Sequence, residues 1–265
     1  MNIFNDVEEL QNVDPALQVP IFIIAIAIVI LGVISGIVSI ILAIKYYRFN
    51  RKQNSRFLTG EQAARRILDS HNCQDIRVSC VGSILFGNSY SHWFKKVRLR
   101  RLTYRKTSIT SLAMAAQKSS LAILDREGDK QMRTRVYLNP IIIFGPIAFI
   151  PLIVIGVLLD YLLFNSTGKI TIVFAVIAIA FYVLSFILSL LVLKTEMNAQ
   201  KRAMQILREN DMANEEEIDD MKTLFKLYNI EYVNNMIIAF LELLYKVLII
   251  VSKFTNRGSS SSSNN

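Results

Sequence analysis

The run "IFIIAIAIVILGVISGIVSIILAI", Ile21–Ile44, carries no charged residue between Pro20 and Lys45. A hydrocarbon core of about 30 Å is crossed by about 20 helical residues, and a lone segment in lipid satisfies its backbone only as a helix. The run therefore predicts a membrane-spanning helix. Ile170–Leu193 is a second uncharged run. Pro140–Phe164 is a third apolar run, although it carries Gly145, Pro146, Pro151, Gly156 and, near its end, the charged Asp160. Met236–Val251 is weaker, because Glu242 and Lys246 lie inside it at the favourable i, i+4 order. The expected fold class is an α-helical integral membrane protein with about four transmembrane helices.

The flanks of these runs set the expected orientation. The chain opens "MNIFNDVEEL" and has no Lys or Arg before Lys45, unlike a secretory signal, which starts with positive charge; the first span is expected to be retained. Residues 45–139 hold 20 Lys plus Arg and residues 194–235 hold 6, of 30 in the chain. By the positive-inside rule both segments face the cytoplasm of a multi-pass protein whose N-terminus lies outside. The expected organisation is an external segment over 1–20, span 1 over 21–44, a basic cytoplasmic segment over 45–139, and a hairpin of spans 2 and 3 over 140–193. A cytoplasmic helical segment over 194–235, span 4 over 236–252 and a disordered tail over 253–265, rich in Ser and Asn, complete it. Gly32 and Gly36 make a small-xxx-small pair, read as packing within the bundle ahead of dimerisation.

Between the first two spans the periodicity changes twice. "TGEQAARRILDSHN", Thr59–Asn72, has a start signal, apolar residues at helical spacing and an Asn where a helix would stop. Ile76–Tyr104 is rich in β-branched and aromatic residues around Gly87-Asn88, and Val97 and Leu99 alternate with Arg98 and Arg100. That pattern predicts two or three strands. The cationic strand has no interleaved aromatics and no RNA-binding signature, so nucleic acid is not an expected partner. Cys73 and Cys80 fall on the cytoplasmic side, where no disulfide is expected. With His71 they lack the spacing of a metal cluster, and His92 stands alone. "TSITSLAMAAQKSSLAIL", Thr107–Leu124, is a helix of small and apolar residues broken by a polar run. The segment after span 3 reads as two amphipathic helices, and its acidic cluster Glu215–Asp220 is expected to neutralise part of the basic segment.

The order of "LTGEQAARRILD" (58–69), "KKVRL" (95–99), "TSITSLAMAA" (107–116), "EMNAQKRAMQIL" (196–207) and "LELLYKVLII" (241–250) around the spans resembles the zincin-type neutral zinc metallopeptidases of bacterial membranes. The resemblance implies a small α+β zincin-like cytoplasmic domain and a bacterial cell-membrane location. It also implies a helix running from the small-residue stretch into His-Glu-x-x-His, where two histidines at i, i+4 bind zinc and the Glu acts as base. A third ligand would come from Glu196. This sequence has Gln117 and Lys118 at the first His and the Glu, and Leu121 at the second His. Only Glu196 remains of the implied ligand set, so no catalytic residues and no cofactor are expected, although zinc serves the parent family.

The reading drawn from these residues is a catalytically inactive homologue, a pseudoprotease acting as a membrane scaffold or a peptide- or protein-binding module. Lys118 is expected to pair with Glu196 without metal. Val97, Arg98, Leu99 and Arg100 are expected to form an edge strand able to add an extended peptide. Its partners would be membrane lipids, other membrane proteins or an active protease relative. The alternatives are an active membrane zinc metalloendopeptidase with relocated ligands, and a membrane-anchored structural or anionic-lipid-binding protein.

Overall fold

In the computed structural model, which describes residues 15–82, 87–164 and 169–262, the chain is mostly helical with one small sheet. The elements are α1 (Pro15–Arg51), α2 (Gly60–Ser70), β1 (Arg77–Val81), β2 (Ser89–Ser91), β3 (Lys96–Arg100), α3 (Arg101–Arg105), α4 (Ile109–Arg126), α5 (Lys130–Leu159) with a π-helical turn Asp160–Phe164, α6 (Lys169–Glu209) and α7 (Glu215–Ser262). The expected external segment lies outside the described residues over 1–14, as does 165–168 of the turn between spans 2 and 3.

Among the described residues three helices are long and apolar enough to cross a membrane, over Leu17–Arg51, Lys169–Glu209 and Glu215–Ile249. The stretch expected as span 2 is helical, but its apolar part there, Ile147–Leu162, is shorter. The two helical stretches expected over 194–235 are present, but they are not separate from the spans. The first continues α6 without a break and the second is the start of α7, because neither Pro nor Gly interrupts Leu193–Glu209 or Glu215–Val251. The last helix runs to Ser262, so the tail expected to be disordered is helical to that point, continuing a helix that no proline stops.

The chain forms two compact units, one of Met1–Ile40 with Ile230–Asn265 and one of Ile41–Asn229. In the first, α1 and α7 run antiparallel, with Ile21 and Ile28 packed on Tyr245 and Ile249. Polar groups stitch the pair: Ser35 donates to Asn235 (2.6 Å), Ser39 to Glu231 (2.6 Å) and Asn234 to the Leu31 carbonyl (3.0 Å). Hydrogen bonds of this kind hold helices together where lipid supplies no hydrophobic drive. The Gly32–Gly36 pair takes no part in this packing, since a Cβ at either position would meet nothing within 4 Å.

The second unit holds the largest hydrophobic core. Thr59 and Gln62 form a reciprocal capping box that starts α2, and Asn72, in the left-handed region at φ 56°, lies just past its end. The apolar face of α2 (Ala63, Ala64, Ile67, Leu68) packs on α4 and shares one buried core with Leu112, Ala115 and Ala116 of α4, Ile206 and Leu207 of α6, and Ile218, Met221 and Leu224 of α7. Each large aliphatic side chain fully buried there stabilises the unit by about 1.5–3 kcal/mol. Small residues let the elements approach: a Cβ on Gly60 would collide with the Thr103 carbonyl of α3. A turn at Gly128 (φ 76°) with Asp129 capping the Met132 amide (2.8 Å) swings the chain from α4 into α5.

The hairpin of α5 and α6 is antiparallel, with Ser185 donating to the Ile142 carbonyl (2.9 Å) and Phe149 edge-on to Tyr182. Asp160 is buried and accepts from the Ile170 and Thr171 amides, at 3.2 and 2.7 Å. It therefore satisfies amides at the N-terminus of α6.

The sheet has the order β1-β3-β2, with β3 parallel to β1 and antiparallel to β2. This overturns the expected edge strand. Val97 and Arg98 are paired on both sides, Leu99 and Arg100 pair with β1, and the Arg100 amide donates to Asn88 Oδ1 at 2.8 Å. A central strand has no row of open backbone groups to offer a peptide. Val97 and Leu99 face the core, as their alternation predicts.

Candidate functional site

Ser108 caps α4 by accepting from the Ser111 amide (3.1 Å), and the helix is then buried on nearly all faces from Ile109 to Ile123. Ala113, Ala115 and Ala116 on this helix are fully buried, with side chains small enough to let neighbouring elements close around it. Burial continues into the polar run, so Gln117, Ser119 and Ser120 are polar residues in a packed interior. Such groups must find partners or leave a desolvation penalty.

Gln117 and Lys118 find one on α6. Gln117 Nε2 donates to Glu196 Oε2 at 2.8 Å, and Lys118 Nζ lies 3.0 Å from the same oxygen. The structure thus brings together the first and third positions to which the resemblance assigns zinc ligands. Arg135 of α5 supplies a further group, its Nη2 donating to Glu196 Oε1 at 2.6 Å. Nothing local in the sequence points to it, because Arg135 ends the charged stretch Asp125–Arg135 and is far from Glu196 along the chain; α5 begins ten residues before the apolar run and carries the guanidinium back to α4 and α6. Both carboxylate oxygens are therefore engaged by cations. The side chains of Lys118, Glu196 and Arg135 are only 13%, 18% and 21% exposed.

Burial is the largest single influence on the Glu196 carboxyl and pushes its pKa up, but the charges of Lys118 and Arg135 and their hydrogen bonds together outweigh it. The carboxyl is held below the ordinary glutamate range, so it stays ionised. One carboxylate faces two cations, leaving the cluster with an excess positive charge. Arg135 uses one nitrogen end-on, and its buried Nη1 has no hydrogen-bond partner among the described residues; the same holds for the Ser119 and Ser120 hydroxyls.

These residues do not fit a zinc ion. Leu121, where the second histidine would stand, is buried against Met132 and Ala199. Lys118 is a cation with donors and no acceptor, and the one carboxylate is taken on both oxygens. Among the described residues no group of three or more His, Cys, Asp or Glu side chains is placed to hold a metal. His71 Nδ1 lies 3.0 Å from the Ile67 carbonyl, Cys73 is buried and Cys80 exposed. Burial raises the pKa of the Cys73 thiol.

His92 is drawn into a different cluster that its sequence did not suggest. Asp125, one turn beyond Leu121 on α4, accepts from the Tyr90 hydroxyl at 2.6 Å and lies 2.6 Å from His92 Nδ1. Burial, then the bond to Asp125, raises the Tyr90 pKa and keeps the phenol protonated. Arg98 of β3 stacks 5.5 Å over the Phe94 ring. The acidic cluster does reach the basic segment: Lys52 meets Glu216 at 2.6 Å and Asp220 at 3.1 Å, and Ser55 donates to Glu217 at 2.8 Å.

A family model described as "Putative neutral zinc metallopeptidase" matches residues 22–251. Among known proteins, the "Putative membrane protease YugP" of Bacillus subtilis (strain 168) is similar, 26% identical over 207 residues that make up 78% of this chain and 87% of that protein. No solved structure matches.

Proposed function

The chain belongs to the neutral zinc metallopeptidase family, and we propose that it is a catalytically inactive membrane member, a pseudoprotease whose former metal site is closed by ion pairs. The observation that carries this reading is the double engagement of Glu196 by Lys118 and Arg135. A divalent ion at the same carboxylate would face both cations, each unit-charge pair opposing it by about 4 kcal/mol at 4 Å and intermediate dielectric. Peptide hydrolysis in this family's manner also needs a base beside the metal-bound water. Lys118 stands at that position as an ammonium, and Leu121 offers no lone pair.

The hairpin of α5 and α6 is read as the second and third of four spans, with the two basic segments in the cytoplasm. The retained helices then serve as a scaffold for other membrane proteins, an active protease relative among them. Peptide addition to β3 is not part of this function, since that strand is central. The test is the zinc content of the detergent-purified chain by elemental mass spectrometry, for wild type and Glu196→Ala. Near-zero zinc in both is expected; about one zinc per chain in wild type, lost in the variant, would show a rebuilt catalytic site and refute the proposal.

A further inference from the structure

We propose that the cluster of Lys118, Arg135 and Glu196 binds the phosphate of an anionic phospholipid. This rests on the reading of the site as one that holds no metal, and it names what the site holds instead.

The first observation is charge. Two cations share one carboxylate, and all three side chains are mostly buried. The excess positive charge lies in a setting where an uncompensated cation is strongly disfavoured. The second is an open donor: Arg135 gives Nη2 to Glu196 while its buried Nη1 has no partner among the described residues. A guanidinium used end-on on one anion keeps its other nitrogen for a second, and its fork matches phosphate oxygens. Ser120 lies one turn from Gln117 on α4, its hydroxyl buried and without a described partner.

The third observation is height, which selects the source of the anion. The apolar run of α6 ends at Leu193, and Glu196 follows three residues later, about 4.5 Å further along the helix axis. Lys118 and Arg135 meet Glu196 at that height, at 3.0 and 2.6 Å. The polar headgroup layer adds about 5–7 Å beyond each face of the hydrocarbon core. The cluster therefore lies at the level of lipid phosphates. Tyr137, between Arg135 and the apolar run, is 68% exposed, as aromatic residues at the membrane–water interface are. A phosphodiester of charge −1 would neutralise the excess and give Arg135 Nη1 its acceptor. A peptide carboxylate or free phosphate has the same anionic chemistry but no reason to be enriched at that depth.

The test uses the full chain in detergent, mixed with equal amounts of dioleoyl phosphatidylglycerol and dioleoyl phosphatidylcholine, with retained lipid counted by native mass spectrometry. Wild type is expected to retain phosphatidylglycerol in preference. Arg135→Gln should weaken that retention by about fivefold, the contribution of one cation near an anionic surface. Arg135→Lys, which keeps the charge and the fold but loses the fork, should fall between them, and Arg98→Gln on the sheet should match wild type. Equal retention of the two lipids, or an equal loss in Arg98→Gln, would overturn the proposal. So would displacement of phosphatidylglycerol by millimolar N-acetyl-dialanine or inorganic phosphate, which would reassign the site to a peptide carboxylate or a free anion. Zinc is measured on the same samples. Near-zero zinc without lipid preference defeats this inference alone, whereas stoichiometric zinc defeats the reading beneath it.

Discussion

Unequal effects of removing its members would be the signature of the Glu196 cluster. Replacing Lys118 with Met removes one donor, but Glu196 keeps Arg135 at 2.6 Å and Gln117 at 2.8 Å. The expected loss is about 1.5–3 kcal/mol, the contribution of one hydrogen bond to a charged group. Glu196→Gln instead strands two mostly buried cations, and removing one partner of a buried pair costs about 3–5 kcal/mol. The double variant should be less destabilised than Glu196→Gln alone, because Lys118 is no longer left unpaired. The assay uses the buried Cys73 thiol. Cys73 is buried in the core that α6 shares through Ala203, Ile206 and Leu207, so in a Cys80→Ser background its alkylation reports opening of that core. Three kcal/mol corresponds to about a 100-fold faster labelling rate. Equal effects of the two single variants, or a double variant that is the simple sum, would refute the account of the cluster as a carboxylate balanced between two cations.

Four further outcomes follow from the same packing. Restoring the motif with Gln117→His, Lys118→Glu and Leu121→His should give little zinc by elemental analysis until Arg135→Ala is added, because Arg135 still holds Glu196; full zinc without that change would show that the guanidinium is no obstacle. Leu121→Ala should destabilise by about 2–5 kcal/mol in the Cys73 labelling assay, as expected for a buried leucine truncated to alanine, and a near-neutral result would contradict its burial against Met132 and Ala199. Gly60→Ala should lose about 1–3 kcal/mol, since α2 must retreat from the Thr103 carbonyl; labelling as slow as wild type would argue against that close approach. Asp160→Ala removes the acceptor at the start of α6 and should cost about 0.5–2 kcal/mol, seen as a lower melting temperature in detergent.

The elements that the sequence made legible are those governed by local rules. Ile21–Ile44 is readable because a span needs only length and apolarity, and α2 because Thr59 and Gln62 are three residues apart. The position of β3 was not readable. Val97 and Leu99 would alternate with Arg98 and Arg100 in the same way on an edge or in the centre, since alternation reports which face is buried and says nothing of neighbours on either side. The parallel β1–β3 pairing depends on a crossover that carries β2 to the far side, a non-local fact. Arg135 and the Tyr90–Asp125–His92 cluster were missed for the same reason: each joins residues more than 30 apart whose contact only the packed helices create. The placement of Lys118 against Glu196 was reached through the resemblance, which supplied the long-range juxtaposition that periodicity lacks.

On the proposed reading of an inactive member, the arrangement accounts for how the site keeps its fold without a metal. The resemblance places a zinc ion of charge +2 against the carboxylate at position 196. Here Lys118 and Arg135 together bring the same charge, delivered from α4 and α5, the helices that pack beside α6. A buried carboxylate needs an opposing charge more than it needs a particular ion, and ionic side chains provide it without the tetrahedral geometry that zinc demands. Once Arg135 is in place, a histidine at 117 or 121 no longer has a metal to hold. Leu121 can then fill its space with apolar volume against Met132 and Ala199, which strengthens the contact between α4 and the hairpin. The change from ligand to leucine is thus one that packing favours, provided that both cations remain. By this argument Arg135, which lies outside the His-Glu-x-x-His positions, belongs to the site as fully as Lys118, since each engages one oxygen of Glu196.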